Sequence, residues 1–343
     1  MKTLVVGGAG FVGSNLVRRL LADGAGEIVV VDNLLSSERE SLPADPRIRL
    51  IEGSITDDAI LGELADEYSV AYHLATFHGN QNSMHDPLAD HENNTLTSLK
   101  LFQRLKGFRR LEKVVYASAG CTVALKTYDE ARPTTEDDPV SLYLDSPYQI
   151  SKIIGEFYAN YYWTRHDLPV VKARFQNVYG PGEVLGAGKW RGTPATIWRN
   201  VIPTFVYRSL KGMPLHLDNA GESTRDFIFV ADLVEGLVRC ADRGERGGVY
   251  NLAAGAETRI LDLARMIDEL TGNPSPPVLG PRRDWDHSGR RLGSTEKAES
   301  ALGFRGATSL PDGLATTVAW TRDNLAFIER CMDRHAARAV TAD

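Results

Sequence analysis

The chain has 343 residues, 43% hydrophobic and 24% charged, with 31 Gly and 16 Pro, a balance that excludes fibrous, disordered and repeat architectures. A formal net charge of -6 argues against a general nucleic-acid binder, and no apolar run approaches the roughly 20 residues a membrane span requires. Cys121, Cys240 and Cys331 are widely spaced, which fits reduced thiols in a cytoplasmic protein and neither a disulfide framework nor a zinc site, so no metal is expected.

The first apolar run predicts a strand at Thr3 to Val6, entered at once from Met1 with no room for a signal peptide. Gly7-Gly8-Ala9-Gly10-Phe11-Val12-Gly13 follows it and opens an amphipathic helix over Phe11 to Ala22. Gly7, Gly10 and Gly13 fall where a tight turn, a pyrophosphate and helix packing each leave no space for a side chain, and the helix start offers free N–H groups to phosphates. A second strand, Ile28 to Asp32, ends on a carboxylate placed to accept hydrogen bonds from the ribose hydroxyls of NAD and to repel the extra phosphate of NADP. No arginine follows before Arg39, so NAD is the expected cofactor.

Further strands are predicted at Ile48 to Glu52, Val70 to Leu74, Val114 to Ser118 and Val170 to Arg174, with helices near Ala59 to Ala65, His91 to Leu105 and Tyr148 to His166. This alternation predicts an α/β fold with a doubly wound parallel sheet. In the last of these helices Tyr148 and Lys152 lie one turn apart on one face, so the ammonium favours the phenolate and equips Tyr148 to move a proton beside the cofactor.

After Gly180-Pro181-Gly182 glycine and proline become frequent and arginines cluster. The expected division is a dinucleotide-binding domain over 1-180, a smaller α/β substrate domain over 181-330, and a frayed tail over 331-343. Strands at Phe227 to Val230 and Val249 to Leu252 are expected to return to the first domain, and Pro274 to Pro281 and Arg282 to Thr295 read as loops. Lys189, Trp190 and Arg191 form a charged loop that either meets a substrate, a sugar carboxylate being one target, or is solvated.

The glycine loop, His73-Leu74-Ala75, Asn94, Tyr116-Ala117-Ser118, Tyr148 with Lys152, Arg174 to Pro181, Thr224-Arg225-Asp226-Phe227 and Leu302-Gly303-Phe304 together resemble the extended short-chain dehydrogenase/reductases, in particular the nucleotide-sugar epimerases and dehydratases related to UDP-glucose 4-epimerase. The resemblance covers nearly the whole chain. It implies a Rossmann fold and NAD contacts from Gly7, Gly10, Phe11, Val12, Gly13, Asp32, Asn33, Ser54, Ile55, Leu74, Ala75, Thr76, Asn94, Ser118, Tyr148, Lys152 and Phe175. It also implies a nucleotide-diphosphate sugar held by Asn177, Asn200, Val201, Leu215, His216, Leu217, Arg225, Arg283 and Asp286. In the implied cycle Tyr148 takes a proton from a sugar hydroxyl, usually at C4, as a hydride passes to NAD, and the transient 4-keto sugar is reduced again or transformed further.

Relatives place a serine or threonine just after the fifth strand, where this chain aligns Ala119 or Gly120; Ser118 or Thr122 is the expected replacement. The dehydratases continue with an Asp-Glu pair and the decarboxylases with a Glu, and Ser118 to Ala124 contains neither acid. Cys121 resembles the acid/base cysteine of a 3,5-epimerase, although the lysine that works with that cysteine aligns here with Asn200. The expected activity is therefore a nucleotide-sugar 4-epimerase. The alternatives are a decarboxylase of a nucleotide-linked uronic acid, a C3/C5 epimerase using Cys121, and a non-catalytic NAD(H)-binding regulator. A homodimer through a four-helix bundle of the helices near His91 to Leu105 and Tyr148 to His166 is implied by the resemblance.

Overall fold

The computed structural model describes residues 2–120, 132–284 and 289–339. Cys121, Thr122 and Asp286 lie outside the described residues.

Seven parallel strands form the main sheet: β1 (Lys2–Val6), β2 (Glu27–Asp32), β3 (Ile48–Glu52), β4 (Val70–His73), β5 (Lys113–Ala119), β6 (Val170–Phe175) and, much later in the chain, β10 (Val249–Leu252). Ile28, Val29, Val30 and Val31 are each at most 1% exposed, so this β-branched run without alternation marks a strand covered on both faces. Val5, Ile28 and Val30 pack into one apolar cluster, and Leu4, Val6, Val29 and Val31 into another. The first lies under α1 (Phe11–Ala22) and α8 (Val230–Arg243); the second meets α5 (Thr97–Leu105) and α6 (Pro147–His166). This is the doubly wound Rossmann arrangement. Shorter helices complete its edge: α2 (Asp58–Gly62), α3 (Asn80–His85) and α4 (Pro87–Asp90).

The strand order is β10-β6-β5-β4-β1-β2-β3. The chain runs outward from β1 to β3 and then crosses to β4 on the other side of β1, so the loops after β1 and β4 diverge and open a crevice at their carboxyl ends.

Beyond β6, α7 (Val201–Leu210), α9 (Ile260–Thr271) and α10 (Leu310–Asp323) enclose a separate apolar cluster with Tyr179, Phe205, Leu215 and Phe227. The strands expected near 225-255 both form, but only β10 joins the main sheet. Its partner in that expectation, β9 (Thr224–Phe229), lies instead between β7 (Asn177–Tyr179) and β11 (Glu257–Arg259) in a three-stranded sheet. Within the segment expected to be loop, β12 (Val278–Leu279) pairs in parallel with β8 (His216–Leu217). The segment expected to fray is helical through residue 339, in α11 (Leu325–Asp333) and α12 (Ala336–Ala339), with Cys331 and His335 buried. No helix among the described residues is long and apolar enough to cross a membrane.

Candidate active site

A continuous cavity of about 660 Å³ occupies the crevice and extends between the main sheet and the separate apolar cluster of Tyr179, Phe205 and Phe227. One end is built by the glycine loop. Gly7 has φ +83°, and a Cβ there would lie 2.4 Å from the Ala75 amide nitrogen; a Cβ on Gly13 would lie 2.2 Å from the Gly7 carbonyl oxygen. These glycines let β1, α1 and the turn after β4 close to contact distance and leave the first amides of α1 open to a diphosphate.

Asp32 ends β2 beside that loop, and burial pushes its carboxyl up while hydrogen bonds from Leu34, Ser37 and Ala9 oppose the shift. Oδ1 accepts from the Leu34 amide and the Ser37 hydroxyl, each at 2.9 Å, and Oδ2 from the Ala9 amide at 2.9 Å. Gly10, Phe11, Val12, Asn33, Ser54, Ile55, Leu74, Ala75, Thr76 and Phe175 line the same cavity. The residues at this end fit NAD.

Asn94 does not line it. It sits in a π-helical turn, His91–Leu96, where its Oδ1 accepts from the Phe77 amide at 2.7 Å and from the Thr76 hydroxyl, and its Nδ2 donates to Asp90 and Ser151. The widened turn thus ties the segment after β4 to α6, so Asn94 positions cavity residues from behind.

The loop after β7 packs against the segment that follows Asp32. Gly188 donates its amide to Glu38 Oε1 at 2.8 Å, and Lys189 donates its amide to the Leu35 carbonyl at 2.9 Å. From the other side, Arg334 pairs with Glu38, and His335 Nε2 approaches the carbonyl oxygens of Gly186 and Gly188 at 3.0 and 3.1 Å.

Tyr148 and Lys152 lie on the first turns of α6, which Ser146 caps by accepting from the Gln149 amide and Pro147 opens with its fixed φ. Lys152 is 4% exposed; its Nζ donates to the Ala117 carbonyl at 3.1 Å and lies 5.9 Å from the centre of the Tyr148 ring. The His78 ring meets the Tyr148 ring edge-on at 5.9 Å, and the Tyr148 amide donates to the Ser83 hydroxyl at 3.2 Å. Burial, helped by the charges of Arg191, Arg199 and Lys152, holds His78 down at about 3, so its imidazole is neutral at pH 7.

Ser118 borders the cavity, but its hydroxyl donates to Glu156 Oε1 at 2.6 Å, within a buried pair in which Arg174 holds both carboxylate oxygens at 2.8 Å. That bond points the hydroxyl toward the ion pair. At Gly120 a Cβ would lie 2.4 Å from Gln176 Nε2, so the Gln176 amide fills the space a side chain at 120 would take.

At the opposite end Asn177, Asn200, Val201, His216, Arg225 and Arg283 line the cavity. Arg283 pairs with Asp218 at 2.6 Å, Arg225 donates to the Thr224 carbonyl at 2.7 Å, and Asn200 donates to Glu183. Leu215 and Leu217 do not line the cavity: their side chains are in the apolar cluster and their carbonyl oxygens accept from the Val278 and Gly280 amides. Sequence reasoning did not single out His78, Gln176, Glu183 and Arg199 as lining residues; Arg199, adjacent to Asn200, was the nearest to being legible.

Fold, glycine loop and Tyr-Lys pair together define a nicotinamide-dependent enzyme of the short-chain dehydrogenase/reductase type. The chain belongs to the NAD dependent epimerase/dehydratase family, whose model matches residues 3–253. It is similar to the Bordetella bronchiseptica enzyme WbmF, solved in complex with NAD+ and UDP, at 58% identity over 99% of this chain and 98% of that one, with a TM-score of 0.91. Among curated relatives, UDP-glucose 4-epimerase of Mycolicibacterium smegmatis is 34% identical over 94% of this chain and 99% of its own length. UDP-glucuronic acid decarboxylase 3 of Arabidopsis thaliana is 27% identical over 92% and 87%. The family is NAD-dependent, and NAD is the cofactor.

Proposed function

We propose that the protein is a nucleotide-sugar 4-epimerase. The observation that carries this reading is the place of Tyr148 and Lys152 in one cavity, with the glycine loop and Asp32 at one end and Asn177, Asn200, Arg225 and Arg283 at the other. Such a cavity suits a dinucleotide and a nucleotide-diphosphate sugar meeting at the tyrosine, and arginines with planar forks suit the diphosphate.

NAD, when bound, supplies the reversible oxidation at the sugar carbon. Tyr148 removes the proton from the C4 hydroxyl and later returns it. Lys152 stabilises the phenolate by its charge, and neutral His78 packs against the ring without competing for the proton. Ser118 to Ala124, where the dehydratases and decarboxylases carry their acids, contains no carboxylate, which favours re-reduction over elimination or loss of carbon dioxide. Similarity to WbmF in complex with UDP and to UDP-glucose 4-epimerase supports a uridine nucleotide sugar. Ile150, Phe157 and Tyr161, exposed along α6, support a homodimer joined through α5 and α6, to be checked by sedimentation.

The test is incubation of the holoenzyme with a panel of UDP-sugars and NMR of the products. Inversion at C4 supports the reading; carbon dioxide release from a glucuronate substrate overturns it in favour of the decarboxylase. Unchanged cellular function in Tyr148→Phe would instead favour a non-catalytic regulator.

A further inference from the structure

Building on the nucleotide-sugar reading, we propose that the sugar carries a carboxylate and that Arg191 and Arg199 receive it beside Tyr148. Arg191 is only 5% exposed, yet its Nε and Nη1 are sealed from solvent with no acceptor. Arg199 lines the cavity; its Nη2 donates to the Ala187 carbonyl, while its Nε is sealed and unpartnered. Removing a guanidinium from water without a counter-charge costs several kcal/mol, and arginine does not escape the cost by losing its proton near neutrality. Burial and the neighbouring Arg199 lower Arg191 to about 9, which still leaves it cationic at pH 7.

The acidic group near Arg199 balances this charge only in part. Glu183 is held by Asn200, its Oε2 is unpartnered, and burial raises its carboxyl to about 7. Glu38 is engaged by Arg334 and the Gly188 amide. Lys152 adds a further cation acting on His78.

Position links the arginines to the reacting end. Both act electrostatically on His78, whose ring touches that of Tyr148. The Arg191 amide donates to the Thr196 hydroxyl at 3.0 Å, and Thr193 donates to Asn82 of α3 at 2.6 Å. On the same helix, the Ser83 hydroxyl accepts from the Tyr148 amide. The loop bearing Arg191 and the tyrosine are therefore set by one element. Arg225 and Arg283 sit on β9 and on the segment after β12, so the diphosphate has its own cations.

A neutral hydroxymethyl group offers these cations only weak acceptors. A carboxylate supplies the missing charge and charge-assisted hydrogen bonds. The same anion-binding chemistry could serve the diphosphate of the substrate or that of NAD, and the experiment separates these sources.

Titration calorimetry on NAD-loaded protein would compare UDP, UDP-glucose and UDP-glucuronate. The expected result is at least roughly tenfold tighter binding of UDP-glucuronate than of UDP-glucose. In Arg191→Gln and in Arg199→Gln this preference falls toward unity, with UDP affinity within about twofold of wild type and NAD content unchanged. No preference in the wild type, or a preference that both variants retain, overturns the proposal. Equal weakening of UDP assigns the arginines to the substrate diphosphate, and loss of bound NAD assigns them to the cofactor; either also overturns it. Should Arg191→Gln fail to fold, Arg191→Lys, which keeps the charge, and the wild-type ratio decide. Binding preference without any epimerised product would refute the 4-epimerase reading and leave this one standing.

Discussion

The Ser118 hydroxyl donates to Glu156 Oε1 at 2.6 Å, and Glu156 in turn holds Arg174 through both carboxylate oxygens, the ion pair having side chains only 5% and 6% exposed. A hydroxyl committed to a buried ion pair is a structural group. Ser118→Ala should cost about 1–3 kcal/mol of stability while kcat changes less than roughly threefold. Thermal unfolding and initial rates measured together check this; a hundredfold fall in kcat with an unaltered melting temperature would return Ser118 to proton transfer.

Tyr148 carries the acid/base step in the proposed cycle. Tyr148→Phe should reduce kcat by roughly 10²–10⁴ with bound NAD retained. Lys152→Ala should lower kcat and also raise the pH at which activity appears, because the cation that favours the phenolate is gone. Rate profiles across pH, read beside absorbance of the bound cofactor, distinguish loss of chemistry from loss of NAD.

Glu183 makes stability depend on pH. Its carboxyl is raised from 4.5 in the unfolded chain to about 7 by burial, so the folded state holds a proton that the unfolded state releases between these values. The contribution is present below pH 4.5 and is lost as pH rises through about 7, up to about 3 kcal/mol in all. Glu183→Gln should match wild type near pH 4 and exceed it at pH 8. Denaturant melts at the two pH values decide, and an equal gain at both would refute the assignment. Asp226, raised to about 6, slopes the same way in both proteins and cancels in the comparison.

His335 braces the loop after β7, which packs on the segment following Asp32. His335→Ala removes its contacts with the Gly186 and Gly188 carbonyls and should loosen NAD up to about tenfold. Dissociation of NAD followed by fluorescence checks this, and an unchanged release rate would show that Arg334 and Glu38 suffice.

What could be read from the chain was what neighbouring residues determine together. The glycine loop, Asp32 at the strand end and the one-turn spacing of Tyr148 and Lys152 each depend on local geometry, and the structure brings them into one cavity. Other features depend on what folds over them. The charged loop at 189–191 left open whether Arg191 was solvated; the folded chain buries it, in a loop that Thr193 ties to α3. Two-residue strands such as β8 and β12 are too short to show a period, which hid the pairing that takes up the Leu215 and Leu217 carbonyls. Apolar spacing also does not distinguish the π turn at His91–Leu96 from an α-helix, so it could not reveal that Asn94 faces the segment after β4.

The contact between His335 and Gly186 joins residues 149 positions apart, and Arg334 reaches Glu38 across 296. The glycine loop, Asp32 and Tyr148 all precede in sequence Arg334 and His335, which brace the loop after β7. The dinucleotide cradle is thus built from residues close together in the first half of the chain, whereas the loop after β7 is braced across separations of 149 and 296 positions.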